Sequence, residues 1–164
     1  MADGQIRIRK FKPEDKPAIA EILEQTNVFT EEEIGIAVEL MDEVIASPMQ
    51  RDYDIYTAVG DDSQIVGYYC VGPTPLTRGT YDLYWIAVKP SSHQKGIGGL
   101  LIRHCEELVK SLGGRIVIAE TSSMPHYDAT RRFYRHQGYL EVGKIKDYYK
   151  LGDDLIIYAK YVQQ

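Results

Sequence analysis

The stretch Val88-Lys89-Pro90-Ser91-Ser92-His93-Gln94-Lys95-Gly96-Ile97-Gly98-Gly99-Leu100-Leu101 constrains the fold more than any other part of the chain. A run of strand-forming residues, 83–88, leads into Pro90, which fixes its own φ and donates no hydrogen bond. A polar loop and three glycines follow, and then apolar residues recur at helical period. Strand, glycine turn and helix start in succession bring unpaired backbone N–H groups together. The first amides of a helix lack an intrahelical acceptor, and the helix dipole favours negative charge beside them. The glycines by themselves are read in two ways. They form an anion cradle, or they only let a helix pack closely on a sheet.

The rest of the chain surrounds this stretch with a regular succession of elements. Residues 6–11 alternate apolar and polar, the period of a half-buried strand. Pro13-Glu14-Asp15 opens a helix carried on by Ile19, Ile22, Leu23 and Thr26. Thr30 and Glu33 fit a capping box before a second helix with Ile34, Ala37, Val38, Met41 and Ile45 on one face, stopped at Ser47-Pro48. Residues 53–59 and 64–71 read as a hairpin, and Gly72-Pro73-Thr74-Pro75 cannot continue a central strand. Residues 80–88 form the third strand of this meander. After the glycine turn, Ile97, Leu100, Leu101, Cys105, Leu108, Val109 and Leu112 trace an amphipathic helix that stops at Gly113-Gly114. Residues 115–121 make an apolar strand, parallel to residues 80–88 because a helix joins the two. Residues 125–137 read as a helix ending at Gly138. Residues 139–145 and 155–161 read as strands joined by a polar loop. The order is β-α-α-β-β-β-α-β-α-β-β. The fold class is mixed α/β (α+β), with a sheet of about six to seven mostly antiparallel strands, a central parallel pair and about four flanking helices.

Composition narrows the function. A length of 164 residues suggests a single domain, 1–164, with a sizeable core. No apolar run approaches the ~20 residues of a membrane span, and residues 1–5 lack a signal peptide's apolar core, so a cytoplasmic protein that avoids membranes is expected. A net charge of −5 argues against a nucleic-acid binder. An anionic ligand would need local positive charge, and Lys89, His93, Lys95, Arg103, Arg131, Arg132 and Arg135 are near the glycine turn or the later helix in sequence. Cys70 and Cys105 read as small buried hydrophobes. His93, His104, His126 and His136 show no metal-ligand spacing, so no metal is expected.

The glycine stretch is not a Walker A loop, because no Gly-Lys-Ser/Thr follows at the right distance. It is a poor dinucleotide fingerprint, since Leu101 stands where a third Gly or Ala belongs, although Glu120 lies about twenty residues on, where that pattern wants an acid. It resembles motif A of the GNAT superfamily of acetyl-CoA-dependent N-acetyltransferases, a strand and Val-x-Pro followed by Arg/Gln-x-x-Gly-x-Gly/Ala and a Leu-rich helix. His93, followed by Gln94, departs from the usual Arg or Gln. A second block, Ala129-Thr130-Arg131-Arg132-Phe133-Tyr134-Arg135-His136-Gln137-Gly138-Tyr139, is similar to the superfamily's Asn-x-x-Ala-x-x-Phe/Leu-Tyr-x-x-x-Gly-Phe helix. There Tyr127 replaces Asn and Thr130 replaces Ala. The two blocks stand in the right order and separation, and the order of elements agrees along nearly the whole chain.

The resemblance implies the GNAT fold, an enzyme and a set of roles. Acetyl-CoA would be the cosubstrate. Its pyrophosphate would accept N–H bonds from the loop His93, Gln94, Lys95, Gly96, Ile97, Gly98 and Gly99. Its pantetheine arm would pair with the strand at Ile86, Ala87 and Val88, splayed from its parallel neighbour. Arg131 and Arg135 either reach CoA phosphates or are solvated surface charge. The acetyl group would pass directly to an amine, with Asp82 as general base and Glu120 as the second candidate. Tyr134 would protonate the leaving thiolate, and Tyr84 would line the acceptor pocket. Outside the resemblance, Asp82 reads as a strand-end charge and Tyr134 as an amphipathic core residue. The acceptor would meet residues 26–30 and the hairpin 147–154, whose Tyr148, Tyr149, Asp153 and Asp154 are similar to those of protein N-terminal acetyltransferases. A small-molecule primary amine is the leading acceptor. A protein N-terminus or lysine, or a non-catalytic acyl-CoA-binding module, is the alternative. Monomer and homodimer both stay open.

Overall fold

The computed structural model describes residues 5–93 and 95–163; Gln94, expected in the phosphate loop, lies outside them. The elements run β1 (Arg7–Lys10), α1 (Lys16–Gln25), α2 (Glu31–Ala46), β2 (Asp54–Val59), β3 (Ile65–Pro73), β4 (Thr80–Val88), α3 (Ile97–Ser111), β5 (Ile116–Ser122), α4 (Asp128–His136), β6 (Leu140–Lys150) and β7 (Asp153–Tyr161). This is the expected order. The seven strands form one sheet in the order β1-β2-β3-β4-β5-β7-β6. β4 and β5 are parallel. The pairs β1–β2, β2–β3, β5–β7 and β6–β7 are antiparallel. The mixed α/β class with a central parallel pair and four α-helices is therefore the observed one.

The contacts divide the chain into two units, residues 1–72 with 85–105, and residues 73–84 with 106–164. In the first unit, α1 and α2 cover one face of β2 and β3. Ile19, Ile22, Leu23, Ala37 and Met41 pack there with Ile55, Tyr68, Cys70 and Ala87. The Thr30 hydroxyl accepts the Glu33 amide at 3.2 Å, and the Glu33 carboxylate accepts the Thr30 amide at 2.7 Å, so the expected capping box starts α2. On the other face of β3, a Cβ at Gly67 would stand 2.9 Å from the Ala87 carbonyl oxygen and 3.0 Å from a Leu101 methyl. Only glycine allows β3 to lie that close to β4 and to the start of α3.

Several expected boundaries differ: β3 runs on through Gly72 to Pro73, where a loop was expected, and Pro125–Tyr127 is a 3-10 turn ahead of α4. Pro13–Asp15 is a 3-10 turn, and α1 begins at Lys16. The reason is Asp15, which is buried and accepts the Lys12 amide at 2.8 Å and a forked pair of bonds from Arg9 at 2.6 and 2.9 Å. These bonds hold the turn tight. The polar loop expected before residue 155 is largely strand: β6 runs to Lys150, and β7 starts at Asp153. The register jumps from Ile145↔Leu155 to Lys150↔Asp153, with Asp147 at φ 53°, so an irregular edge strand carries these polar residues.

The second unit holds the β5–β7–β6 ladder and α4. Tyr134 of α4 stacks on Tyr158 of β7, with centroids 5.8 Å apart, and meets Tyr139 at 5.4 Å. These buried rings seat α4 on the sheet.

Candidate active site

In the first unit, β4 ends at Val88 and α3 starts at Ile97. The first bond closing a turn of α3 runs from the Leu100 amide to the Gly96 carbonyl at 3.1 Å. The amides of Ile97, Gly98 and Gly99 precede it, where a helix has no acceptors of its own. Gly96 has φ +73°, and a Cβ there would meet nothing within 4 Å. Glycine is required by the backbone turn, and the space beside it is open. Ile97 and Leu101 are buried and anchor the first turn, while Lys95 is exposed. Such a turn fits a pyrophosphate: converging amides, a helix dipole and room for a ligand.

His93 is exposed, and its Nε2 lies 2.9 Å from the Val88 carbonyl oxygen. The irregular residue of the motif thus closes the loop back onto the last residue of β4. Ala87 is buried in the core of this unit, and Ile86 and Val88 are half-buried.

In the second unit the parallel ladder is short. Its rungs are Thr80↔Ile116, Tyr81↔Val117 and Asp82↔Ile118, although β4 continues to Val88 and β5 to Ser122. Asp82 shares a face with Ile118, and therefore with Glu120 two residues on. Two carboxylates stand on one face where the pairing stops. Burial raises the Glu120 carboxyl above its ordinary pKa, and the charge of Asp82 raises it further. The Thr74 hydroxyl donates to Asp82 Oδ2 at 2.8 Å. The Thr74 amide bonds the Thr80 carbonyl at 2.9 Å, which folds this loop back beside the start of β4. Tyr84 follows Asp82 on the same face and is 36% exposed.

Tyr134 approaches β7 from the opposite face. It stacks on Tyr158, which pairs with Ala119, whereas Glu120 pairs with Ile157. Adjacent strand residues point to opposite faces. Carboxylates on one side and a tyrosine on the other thus flank the end of the ladder.

Arg131 has a different setting from the expected phosphate ligand. It is buried, and its guanidinium donates to the carbonyls of Ser122 and Met124 and to the Asp128 carboxylate. Ser122 in turn donates to Asp153 at 2.5 Å and accepts the Met124 amide at 3.0 Å. This network ties residues 122–128 together and sets the entry to α4. Arg135 is exposed and reaches the Tyr158 hydroxyl at 3.1 Å. Sequence reasoning missed Thr74. Its signal, a threonine between Pro73 and Pro75, marks only a loop. Among the described residues, no group of three or more His, Cys, Asp or Glu stands together as a metal set, and no helix is long and apolar enough to cross a membrane.

Comparison with known proteins accords with this geometry. The profile of the Acetyltransferase (GNAT) family matches residues 17–139. The chain is similar to the crystal structure of a candidate GNAT-family acetyltransferase from Desulfovibrio desulfuricans, at 40% identity over 97% of this chain and 100% of that one, with a TM-score of 0.93. It shares its fold with the ribosomal-protein-S18-alanine N-acetyltransferase of Escherichia coli, at 18% identity over 98% and 96% of the two chains and a TM-score of 0.75. It also shares it with an aminoglycoside 6'-N-acetyltransferase complexed with coenzyme A, at 21% identity over 96% and 98% and a TM-score of 0.74. No curated protein matches the chain. The family match over most of the chain and the 40% identity across its length make this protein a member of the Acetyltransferase (GNAT) family, and thus an acyltransferase.

Proposed function

We propose that the chain moves an acetyl group from acetyl-CoA directly to the primary amine of a small molecule. The observation that carries this reading is the early end of the parallel ladder at Asp82↔Ile118, with Asp82 and Glu120 on one face and Tyr134 against the other. Acetyl-CoA supplies an activated thioester carbonyl. The amides of Ile97, Gly98 and Gly99, with Gly96 shaping the turn, bind its pyrophosphate, and Lys95 and His93 border them. The backbone of Ile86, Ala87 and Val88, beyond the last rung to β5, accepts the pantetheine arm as an added strand. Arg131 belongs to the network that holds α4, and so contributes through the placement of Tyr134.

A primary amine is mostly ammonium at neutral pH, and only its neutral form attacks a carbonyl. A carboxylate on the Asp82–Glu120 face takes that proton. The second amine proton leaves as the new C–N bond forms. The thiolate released by C–S cleavage takes a proton from the Tyr134 hydroxyl, which the second amine proton replaces. The overall products are the amide, CoA thiol and one proton.

The small-molecule acceptor rests on a pair of carboxylates suited to one compact cation. A peptide acceptor is the second reading, favoured by one observation: Tyr148 and Tyr149 are 53% and 48% exposed on the edge strand β6. Incubation with acetyl-CoA, a panel of small primary amines and a panel of short peptides, followed by free thiol, separates the two. Turnover with a small amine is the expected result. Turnover only with peptides moves the acceptor to the second reading, and tight CoA binding with no turnover for any amine makes the protein an acyl-CoA-binding module.

A further inference from the structure

Asp82 and Glu120 are not equivalent, and the difference lies in what touches each. Asp82 is held from its own loop by the Thr74 hydroxyl at 2.8 Å. That loop is itself closed by the Thr74 amide on the Thr80 carbonyl and by the Thr77 hydroxyl on the Thr74 carbonyl at 2.7 Å. Glu120 projects from β5 past the last rung to β4. Opposite it on β7 is Ile157, and Leu155 and Ala159 flank Ile157 on the same face. None of these titrates. On its own strand Ile118 precedes it and Ser122 follows, with the Ser122 hydroxyl engaged by Asp153. On β4, Tyr84 follows Asp82 on this face. The charge that acts on Glu120 is Asp82.

We propose that Thr74 is a positioning residue of the reaction: it fixes the Asp82 carboxylate beside Glu120, and the proton leaving the acceptor ammonium is taken by Glu120. This rests on the acetyl-transfer reading above and assigns the base that reading leaves between two carboxylates. The step balances simply. One ammonium N–H bond breaks, its electron pair becomes the lone pair that attacks, and the proton forms an O–H bond on Glu120, which later gives it to water. Asp82 keeps its bond to Thr74 throughout and acts as a fixed negative charge. A like charge at a fixed place makes Glu120 a stronger base than a carboxylate alone, as proton abstraction from an alkylammonium needs. Glu120 is exposed, and the partial loss of water around its carboxyl acts in the same direction.

The test is a set of Glu120→Gln, Asp82→Asn, Thr74→Val and Thr74→Ser variants with two readouts. One is the pH dependence of kcat/KM with whichever amine turns over. The other is titration of the Glu120 carboxyl by carbon NMR in the protein alone, which needs no activity. Glu120→Gln should lower kcat/KM by about 10²–10⁴-fold. Asp82→Asn should move the Glu120 titration and the acid limb of kcat/KM to lower pH together. Thr74→Val should move both in the same direction by less, and Thr74→Ser should restore them. A Glu120 titration unmoved in Asp82→Asn and Thr74→Val, or wild-type kcat/KM in Glu120→Gln, overturns the assignment. Wild-type protein that transfers acetyl to no amine overturns the acetyl-transfer reading and the proton role with it. A shift of the NMR titration in Asp82→Asn would then identify the pair as an electrostatic feature only.

Discussion

The turn at residues 95–99 and the carboxylate face of β4 and β5 are built from different materials. The turn offers main chain: a glycine at φ +73°, three helix-start amides and an exposed lysine beside them. The carboxylate face offers side chains whose meeting depends on strand register, Asp82 opposite Ile118 and Glu120 two residues on. A backbone site tolerates side-chain changes and fails when the chain cannot adopt its turn. A side-chain site fails when one functional group is lost. Substitutions that respect or violate this difference test it.

The largest effect belongs to the side-chain chemistry. Tyr134→Phe keeps the ring stacked on Tyr158 and removes only the hydroxyl. The turnover number should fall by about 10²–10⁴-fold, the range for loss of a general acid, while the Kd for CoA changes less than about twofold. Steady-state kinetics and calorimetry on one preparation check both. An unchanged kcat would take the tyrosine out of the chemistry and leave its hydroxyl a structural group.

Arg131 sharpens the comparison from the other side, because an arginine in this block was expected at the cofactor. Arg131→Lys keeps the charge but loses the fork that spans Ser122, Met124 and Asp128. It should lower stability by about 2 kcal/mol, with the Kd for CoA nearly unchanged. A large loss of CoA affinity without a loss of stability would return Arg131 to the phosphates.

Gly96→Ala comes next. The space beside Gly96 is open, so the only penalty is a left-handed backbone at a residue with a Cβ, about 1–2 kcal/mol. CoA affinity should fall by about five- to thirtyfold if the turn is abandoned. Lys95→Ala and His93→Ala should each change it by less than about threefold, since exposed charges contribute little. Equal losses in Lys95→Ala and Gly96→Ala would show that the turn binds through charge and not through amides.

The same division explains what was legible in the sequence. The glycine turn, the parallel strands joined by α3 and the capping box of Thr30 and Glu33 all depend on residues close together in the chain, and each was found. Thr74 was not, because its bond to Asp82 exists only once Pro73 ends β3 and residues 74–80 fold back. The strand content of residues 146–150 was hidden by a bulge that breaks the alternation. Arg131 reads as a phosphate ligand or a surface charge because, apart from Asp128, the partners that bury it are main-chain carbonyls at Ser122 and Met124, which carry no sequence signature. Glu120 was visible as an acid, but its rank against Asp82 depends on which of them has Thr74 beside it.

The smallest effect is on stability and concerns Glu120 itself. Its carboxyl pKa is raised in the fold, first by burial and then by Asp82. The folded protein therefore holds that proton more tightly than the unfolded chain does. The resulting stabilisation is fully present below the unfolded value and is lost as pH rises through the folded one. At neutral pH the ionised carboxylate is a small burden, which Glu120→Gln removes. The variant should match wild type at acid pH and unfold at a slightly higher temperature at neutral pH. Since Glu120 is partly open to solvent, the gain should stay well under ~1 kcal/mol. Thermal unfolding across the acid-to-neutral range measures it. A difference between variant and wild type that does not change with pH would mean that the two carboxylates do not sense each other. Glu120→Gln should thus lower activity while raising stability, the sign expected where an anion is held beside another anion for its chemistry.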